Sequence, residues 1–478
     1  MQKTVVIVGG GVTGLTAAWT LQKNMGDAMR CFVIERALRP GGKISSARRD
    51  DFVVEIGPDS FITQKPDALA LCRELGLQDR LVGSNAMERT TYVWSRGRLH
   101  PLPEGMLLMA PAKVMPVLRS RLLTWPGKLR MGMEYFISPR RPDAPEESLA
   151  AFVRRRLGKE ALEKIATPLM AGIHAADPER LSLRSTFPMF LEMEQKHGSL
   201  LRAMLRRKRV QKVNPAHKGN ASAPSSMFVS LRGGLEQMTE ALAAHLTPGT
   251  LRLGESVASI TREDGQYVLI MDDGQYMRAD AVILAAPAYA TAQMVQTLDA
   301  QLAERLRAIR YVSTATVSLA YRRSEIPHAL DGYGFVVPRG EHRSITACSW
   351  SSMKFPGRAP EGYALVRVFL GGAGAEHLAE QGEAELVERA RVELRTTMGI
   401  AAHPQWAVAH CWWKANPQYE LGHAALVEEA ERLAAQHDGL HLAGAAYHGA
   451  GIPDCIRSGR VAAEMTAKKI QTNRCVTI

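Results

Sequence analysis

The segment Gly9-Gly10-Gly11-Val12-Thr13-Gly14 constrains this chain more than any other. It follows an apolar run, Thr4–Val8, that reads as a buried parallel strand, and it precedes residues 15–25, where Leu15, Ala18 and Leu21 recur at helical spacing. Cys31–Glu35 then reads as a second strand, with Glu35 placed 21 residues beyond Gly14. Each glycine has a physical task in such a unit. Gly9 permits the tight turn, Gly11 lets the backbone approach a pyrophosphate, and Gly14 lets helix and strand pack closely, while Gly10, Val12 and Thr13 complete the loop. The helix N-terminus attracts phosphate charge, and Glu35 can accept from a ribose hydroxyl. A lone GxGxxG is a weak signal among 40 glycines. The strand, helix and terminal acid around it point to a dinucleotide whose ribose carries no 2′-phosphate.

Further glycine-bearing stretches favour a flavin dinucleotide over a nicotinamide one. Arg39-Pro40-Gly41-Gly42-Lys43 follows the second strand, and Glu55-Ile56-Gly57-Pro58-Asp59-Ser60 comes next. Gly42 and Gly57 lack side chains where backbone could lie against the cofactor, and Lys43 supplies a charge nearby. Near the C-terminus, GAAYHGAGIPDC (444–455) precedes a helix, so backbone N–H groups around Ala450, Gly451 and Ile452 could hold the pyrophosphate or the pyrimidine edge. FAD is therefore the expected cofactor. There is no second complete GxGxxG and no CxxxxC pair, so the reduced flavin is expected to pass its electrons to oxygen or a diffusible acceptor.

At 478 residues the chain is too long for one compact core, and 46% hydrophobic residues are enough to bury more than one. Residues 1–65 are expected to begin the cofactor domain. Residues 66–212 read as mainly helical, broken by prolines and by the loop SPRRPDAPEES, and are a candidate for the substrate cavity and a membrane-facing surface. After a polar linker near 214–226, residues 226–300 return to the cofactor domain with a helix across Leu235–Leu246, a hairpin of Ser256–Arg262 and Tyr267–Met271 turned at Asp264-Gly265, and the strand Ala281–Leu284. Residues 301–415 alternate strands with a helix at 383–398 and read as a mixed-sheet substrate domain. Residues 416–478 close the cofactor domain with a strand, His441–Ala443, and a helix at 454–470. The expected class is α/β: a Rossmann-like FAD-binding domain assembled from discontinuous pieces, a mixed-sheet substrate domain and an inserted helical domain.

The net charge of +12 raises the local concentration of anionic ligands or lipids without choosing among nucleic acid, membrane and a carboxylated substrate. Its densest cluster, Arg202–Lys218, reads as a solvated helix end, and no aromatic stacking pattern accompanies it, so nucleic acid is not an expected partner. The six cysteines (Cys31, Cys72, Cys348, Cys411, Cys455, Cys475) show neither CxxC pairing nor metal-ligand spacing. They read as reduced cytosolic thiols, and no metal is expected. Met1 leads straight into Val5–Val8, leaving no room for a signal peptide, and no run of 18 apolar residues suggests a transmembrane segment. Leu102–Leu118 and Leu122–Ile137 are nevertheless apolar and Met-rich, which leaves peripheral membrane contact open.

The motifs GGGVTGL, RPGGKI, VEIGPDSF, PLMAGIHAADPERLSLRSTFPMF, EQKHGSL, NPQYELGH and GAAYHGAGIPDCI run from one end of the chain to the other. Through them the chain resembles the porphyrinogen oxidases, within the wider monoamine-oxidase and carotene-desaturase group, and most of all their soluble Gram-positive bacterial branch. The resemblance implies an amine-oxidase-like fold. It implies FAD contacts at Gly9–Gly14, Glu35, Arg36, Gly42, Lys43, Gly57, Pro58, Asp59 and Ser60, at Val257 through its backbone to the adenine, at Trp412, and at Ala450, Gly451 and Ile452. The implied reaction is oxidation of coproporphyrinogen III to coproporphyrin III in haem biosynthesis, or of protoporphyrinogen IX in related members. Oxygen is the acceptor, six electrons leave in three flavin turnovers with peroxide released, and the product passes to a later haem-pathway enzyme.

No catalytic side chain is implied, since hydride passes from a meso carbon to flavin N5 and pyrrole nitrogens lose protons to solvent. Ala171–Ala175 matches the stretch lining the family's substrate cavity, so Gly172, Ile173 and His174 are expected to touch the substrate. The stretch departs from the commoner GIYAGD at His174 and Ala176, and His174 carries a second expectation as a proton acceptor. Arg89, Arg96 and Arg98 are candidates to hold propionates. Amine oxidases, desaturases and non-enzymatic carriers of lipidated partners use the same fold and set the rival readings.

Overall fold

The computed structural model describes residues 2–86, 89–111, 113–141, 143–213 and 226–475. Lys3–Val8 forms a strand whose last four residues, Val5–Val8, are all buried, as expected of a strand covered on both faces. It is the middle strand of a five-stranded parallel sheet with the order 251–253, 29–35, 3–8, 281–284, 440–442. The chain thus leaves this sheet after residue 35 and returns to it at three later places.

Two helices cover one face. Val12–Met25 starts three residues earlier than periodicity suggests, and Ile452–Cys475 is longer at both ends than the expected 454–470. They cross closely at Gly459, where a Cβ would fall 2.3 Å from the Thr13 carbonyl oxygen. The other face packs against a three-stranded antiparallel sheet, 257–263, 266–271 and 276–279, and against helices 300–307 and 423–434. The first hairpin of that small sheet turns where expected, with Asp264 and Gly265 both at positive φ, the geometry of a two-residue primed turn.

The large sheet has seven strands, ordered 406–417, 311–322, 363–371, 345–349, 334–336, 91–95, 98–101. It is mixed, because 334–336 and 91–95 run parallel while the other neighbours are antiparallel. Two differences from the sequence reading stand out. The hairpin of Thr91–Ser95 and Arg98–Pro101 belongs to this sheet, although it lies in the stretch expected to be mainly helical. Its Arg96-Gly97 turn, at positive φ, and its aromatic strand TYVWS carried the β signal. Trp406–Pro417 is one twelve-residue edge strand whose alternation is blurred by exposed aromatics.

The helical part holds Leu149–Arg156, a helix from Lys159 to His174 with a π turn at 162–166, Pro188–His197 and Leu200–Val213. The polar linker lies outside the described residues, as does the end of the basic cluster. Among the described residues no helix is long and apolar enough to cross a membrane.

Candidate active site

Several glycine-bearing loops meet at the C-terminal ends of the parallel strands, where ligands bind in open α/β sheets. Gly9 has φ +113°, and a Cβ there would lie 2.9 Å from the Ala285 carbonyl. At Gly14 the room is smaller still, 1.9 Å from the Gly9 oxygen. Gly11 is the opposite case: a Cβ would meet nothing within 4 Å. Gly11 also begins the Val12–Met25 helix without a side-chain cap, so the helix start presents open backbone donors beside the buried Val12 and Thr13. Open backbone at a helix N-terminus suits a pyrophosphate.

Glu35 stands at the edge of this cradle. The Gly10 N–H donates to its Oε2 at 2.6 Å and the Ala37 N–H to its Oε1 at 2.8 Å, which fixes the carboxylate and leaves lone pairs for a sugar hydroxyl. Arg36 is exposed at the rim.

The second loop rides over the first. The Gly41 N–H donates to the Gly10 carbonyl at 2.8 Å, and a Cβ on Gly42 would lie 3.2 Å from Gly11 Cα. Arg39 holds the turn by donating to the Gly42 carbonyl at 2.8 Å. The third loop rests on the second: a Cβ on Gly57 would fall 1.8 Å from the Lys43 carbonyl oxygen. Lys43 Nζ donates to the Ala415 carbonyl, and burial pushes its pKa down.

Trp412 Nε1 donates to the Ile56 carbonyl at 3.1 Å, so the edge strand closes this side. Pro58 is half-buried, and Asp59 and Ser60 are engaged with protein. Ser60 Oγ donates to Asp59 Oδ1 at 2.6 Å and Lys354 Nζ to Oδ2 at 2.7 Å. Burial alone would raise the Asp59 pKa; the Lys354 ammonium outweighs it, and the carboxyl is held at about 2.

Val257 is buried at the start of its strand, just past the Leu251–Leu253 strand that pairs beside Glu35, and a bulge follows it. At the last helix Ala450 and Gly451 are exposed and Ile452 is buried. The loop before this helix comes close to the first one: a Cβ on Gly444 would be 3.9 Å from Thr13 Oγ1. The glycine loops, Glu35, Lys43 and Trp412 are therefore brought together, Val257 lies near the Glu35 end, and Arg36 stays at the rim. These residues fit a group with a pyrophosphate and a flat ring system.

The Thr167–His174 helix ends beside the large sheet. Ala175 takes a left-handed conformation, its carbonyl accepts from the Ala373 N–H at 2.8 Å, and Gln418 Nε2 donates to the His174 carbonyl at 3.3 Å. Gly172 is exposed and Ile173 is 52% exposed, and a Cβ on Gly172 would find only Val336 Cγ1, at 3.9 Å. The His174 ring stands edge-on to Phe187 with centroids 5.5 Å apart. The ring is half-buried. Burial first, then the Lys65 charge, lower its pKa to about 4. Arg89, Arg96 and Arg98 are exposed, the last two flanking the tip of the 91–101 hairpin.

Sequence reasoning missed Gln418, Lys65, Lys354 and Arg367 as supports. Gln418 lies inside the quoted NPQYELGH motif; the others had no local signal.

The profile of the flavin containing amine oxidoreductases matches residues 12–465. The chain is also 35% identical over 467 residues to coproporphyrinogen III oxidase of Bacillus subtilis, covering 96% of this chain and 97% of the relative. The chain belongs to the flavin-containing amine oxidoreductases, and among them to the porphyrinogen oxidases. Protoporphyrinogen oxidase of Bos taurus is 33% identical to this porphyrinogen oxidase family member, over 97% of this chain and 98% of its own. A solved structure from Exiguobacterium sp. 255-15 superimposes with a TM-score of 0.87 at 32% identity, over 98% of this chain and 99% of its own. The protein is an oxidoreductase that uses a flavin.

Proposed function

We propose that this protein oxidises coproporphyrinogen III to coproporphyrin III with FAD as cofactor and oxygen as acceptor. The observation that carries the reading is the end-to-end similarity to the Bacillus subtilis coproporphyrinogen III oxidase. FAD is favoured because a glycine cradle, an uncapped helix start and a fixed Glu35 together suit a pyrophosphate and a ribose. When bound it would supply the hydride acceptor. Gly9–Gly14, Glu35, Gly42, Lys43, Gly57–Ser60, Trp412 and Ala450–Ile452 would hold it, with Val257 at the adenine. Gly172, Ile173 and His174 would form a wall for a flat macrocycle. His174 is held in its neutral form by burial and the Lys65 charge, which suits a place on that wall. The chain's own work is to orient substrate against cofactor and exclude water. Six electrons and six protons leave in three rounds, and three oxygen molecules become three peroxides.

Coproporphyrin III would then pass to a later haem-pathway enzyme. We place the protein in the cytoplasm, in keeping with its free Cys31, Cys72, Cys348, Cys411 and Cys455, with peripheral contact to membrane. The contact surface would be the exposed Val114, Met115, Trp125, Leu129, Met133 and Phe136, beside exposed Arg119 and Arg121. W125S/F136S is expected to lose sedimentation with anionic vesicles; no difference from the parent protein would remove this assignment. The division into 1–65, 66–212, 226–300, 301–415 and 416–478 stands as our reading of the domains.

The second reading, protoporphyrinogen IX as substrate, is favoured by the bovine relative. Rates on the two porphyrinogens measured side by side, with peroxide quantified, decide between them. Coproporphyrinogen is expected to be oxidised at least tenfold faster, with three peroxides per porphyrin; equal rates would overturn the substrate choice.

A further inference from the structure

Behind the Glu55–Ser60 loop lies a layer of buried charge that holds the loop and has more cations than carboxylates. Glu55 pairs with Arg358 at 2.9 Å and Asp59 with Lys354 at 2.7 Å. Arg358, Lys354 and Arg367 share those two carboxylates, which leaves the layer with one positive charge in excess. Arg367, on the Tyr363–Gly371 strand, lies near Asp59 and Glu55 but is bonded to neither. It is 4% exposed and enters no ion pair among the described residues. Its guanidinium donates to the carbonyls of Gly57 at 2.7 Å and Ile56 at 2.6 Å, and its Nε finds no acceptor. Lys43 lies on the other side of the loop, where its carbonyl touches Gly57, and among the described residues its ammonium likewise bonds only to a carbonyl, that of Ala415. Burial lowers the pKa of both cations, and at Arg367 the Asp59 and Glu55 carboxylates act against it.

A buried layer with one positive charge in excess is costly, and the cost is offset when an anion joins it. We propose that Arg367, with Lys43 across the loop, is the fixed countercharge for the electrons delivered to the flavin, and so raises the cofactor's reduction potential. The proposal rests on the flavin reading above. In each round a C–H bond of the porphyrinogen breaks, and hydride carries two electrons and one proton to the cofactor. A pyrrole N–H releases the second proton to solvent. The substrate is oxidised by two electrons and the cofactor gains one negative charge, until oxygen removes the two electrons and, with two protons, leaves as peroxide. A positive charge already in place needs no reorganisation as that negative charge develops, and low-dielectric surroundings strengthen the attraction.

The midpoint potential of the bound flavin is measured by dye equilibration on holoprotein of the parent, R367M, R367K and K43M. R367M and K43M are each expected to move the oxidised-to-reduced ratio at least tenfold toward oxidised, about 30 mV lower for a two-electron couple. R367K is expected to stay within threefold of the parent. R367M that retains stoichiometric flavin at an unchanged potential overturns the proposal. If R367M does not fold, K43M decides alone, a lowered potential supporting the proposal and an unchanged one overturning it. A parent protein that takes up no flavin defeats the flavin reading itself, a result visible before any variant is made.

Discussion

A single methyl group is enough to test the core of the site. Gly57 has the Lys43 carbonyl oxygen 1.8 Å from where a Cβ would stand, and that oxygen belongs to backbone that cannot swing aside. G57A must push the third loop off the second, and flavin affinity is expected to fall at least tenfold, about 1.4 kcal/mol. Visible flavin absorbance per mole of purified protein reads this directly, and parent-like retention would contradict it. Asp59 gives a pH test. Its folded pKa of about 2 lies below the ordinary carboxylate value near 3.8. Its ionisation therefore favours the folded state above pH ~4, by roughly 2 kcal/mol, and that contribution fades as pH falls from about 4 to 2. Thermal melts should show D59N less stable than the parent at neutral pH and level with it near pH 2; an equal gap at both pH values would argue against the Lys354 contact as its source. Gly9 and Gly57 were legible in the sequence because only glycine allows the φ angle or the close approach they need. Arg367 and Lys354 were not. Their partners lie 310 and 295 residues away in the chain, and nothing local marks a buried cation.

At the level of elements, periodicity and turn chemistry identified what is locally determined. The helix at 383–398 matches its expected bounds because Gly399 ends it in a left-handed conformation. The hairpin at 264–265 is set by its two turn residues. The strands 91–95 and 98–101 were lost to their surroundings, since prolines and methionines on the C-terminal side made the whole stretch look like broken helix. What secures the helical part was equally hidden. Arg156 and Glu134 are both fully buried and paired; Glu134 also accepts from Ser199 Oγ at 2.6 Å and the Leu200 N–H at 2.8 Å, while Arg156 donates to the Gly198 carbonyl at 2.9 Å. One ion pair thus ties three segments that are not adjacent in sequence. R156M leaves the Glu134 charge buried and is expected to cost about 3–5 kcal/mol. Urea unfolding monitored by far-UV circular dichroism measures it, and a loss under 1 kcal/mol would mean that the Ser199 hydroxyl and the backbone donors suffice for Glu134.

For the whole molecule, the decisive property is that the cofactor sheet is assembled from distant pieces. Its strands come from residues 3–8, 29–35, 251–253, 281–284 and 440–442, so it cannot be completed until nearly the full chain is present. The loops that would hold a cofactor leave four of those strands at Gly9, Glu35, Ala285 and Gly444, and they touch one another through backbone: Gly9 against Ala285, Gly42 against Gly11, Gly57 against Lys43. A dinucleotide lying across them would bind the assembled sheet and have nothing to bind in the unfolded chain. Linkage then fixes the sign and size of its effect, since ligand in thousandfold excess over its dissociation constant adds about 4 kcal/mol to stability. For a chain of this size that is expected to raise the melting temperature by several degrees. Removing flavin under mild chaotropic conditions should lower Tm, and FAD should restore it in a concentration-dependent way. Riboflavin and FMN should not, because they lack the adenosine half that we assign to Glu35 and the Val257 strand. Full restoration by FMN would show that the Gly9–Glu35 unit is idle, and no change in Tm on flavin removal would show that the sheet stands without it.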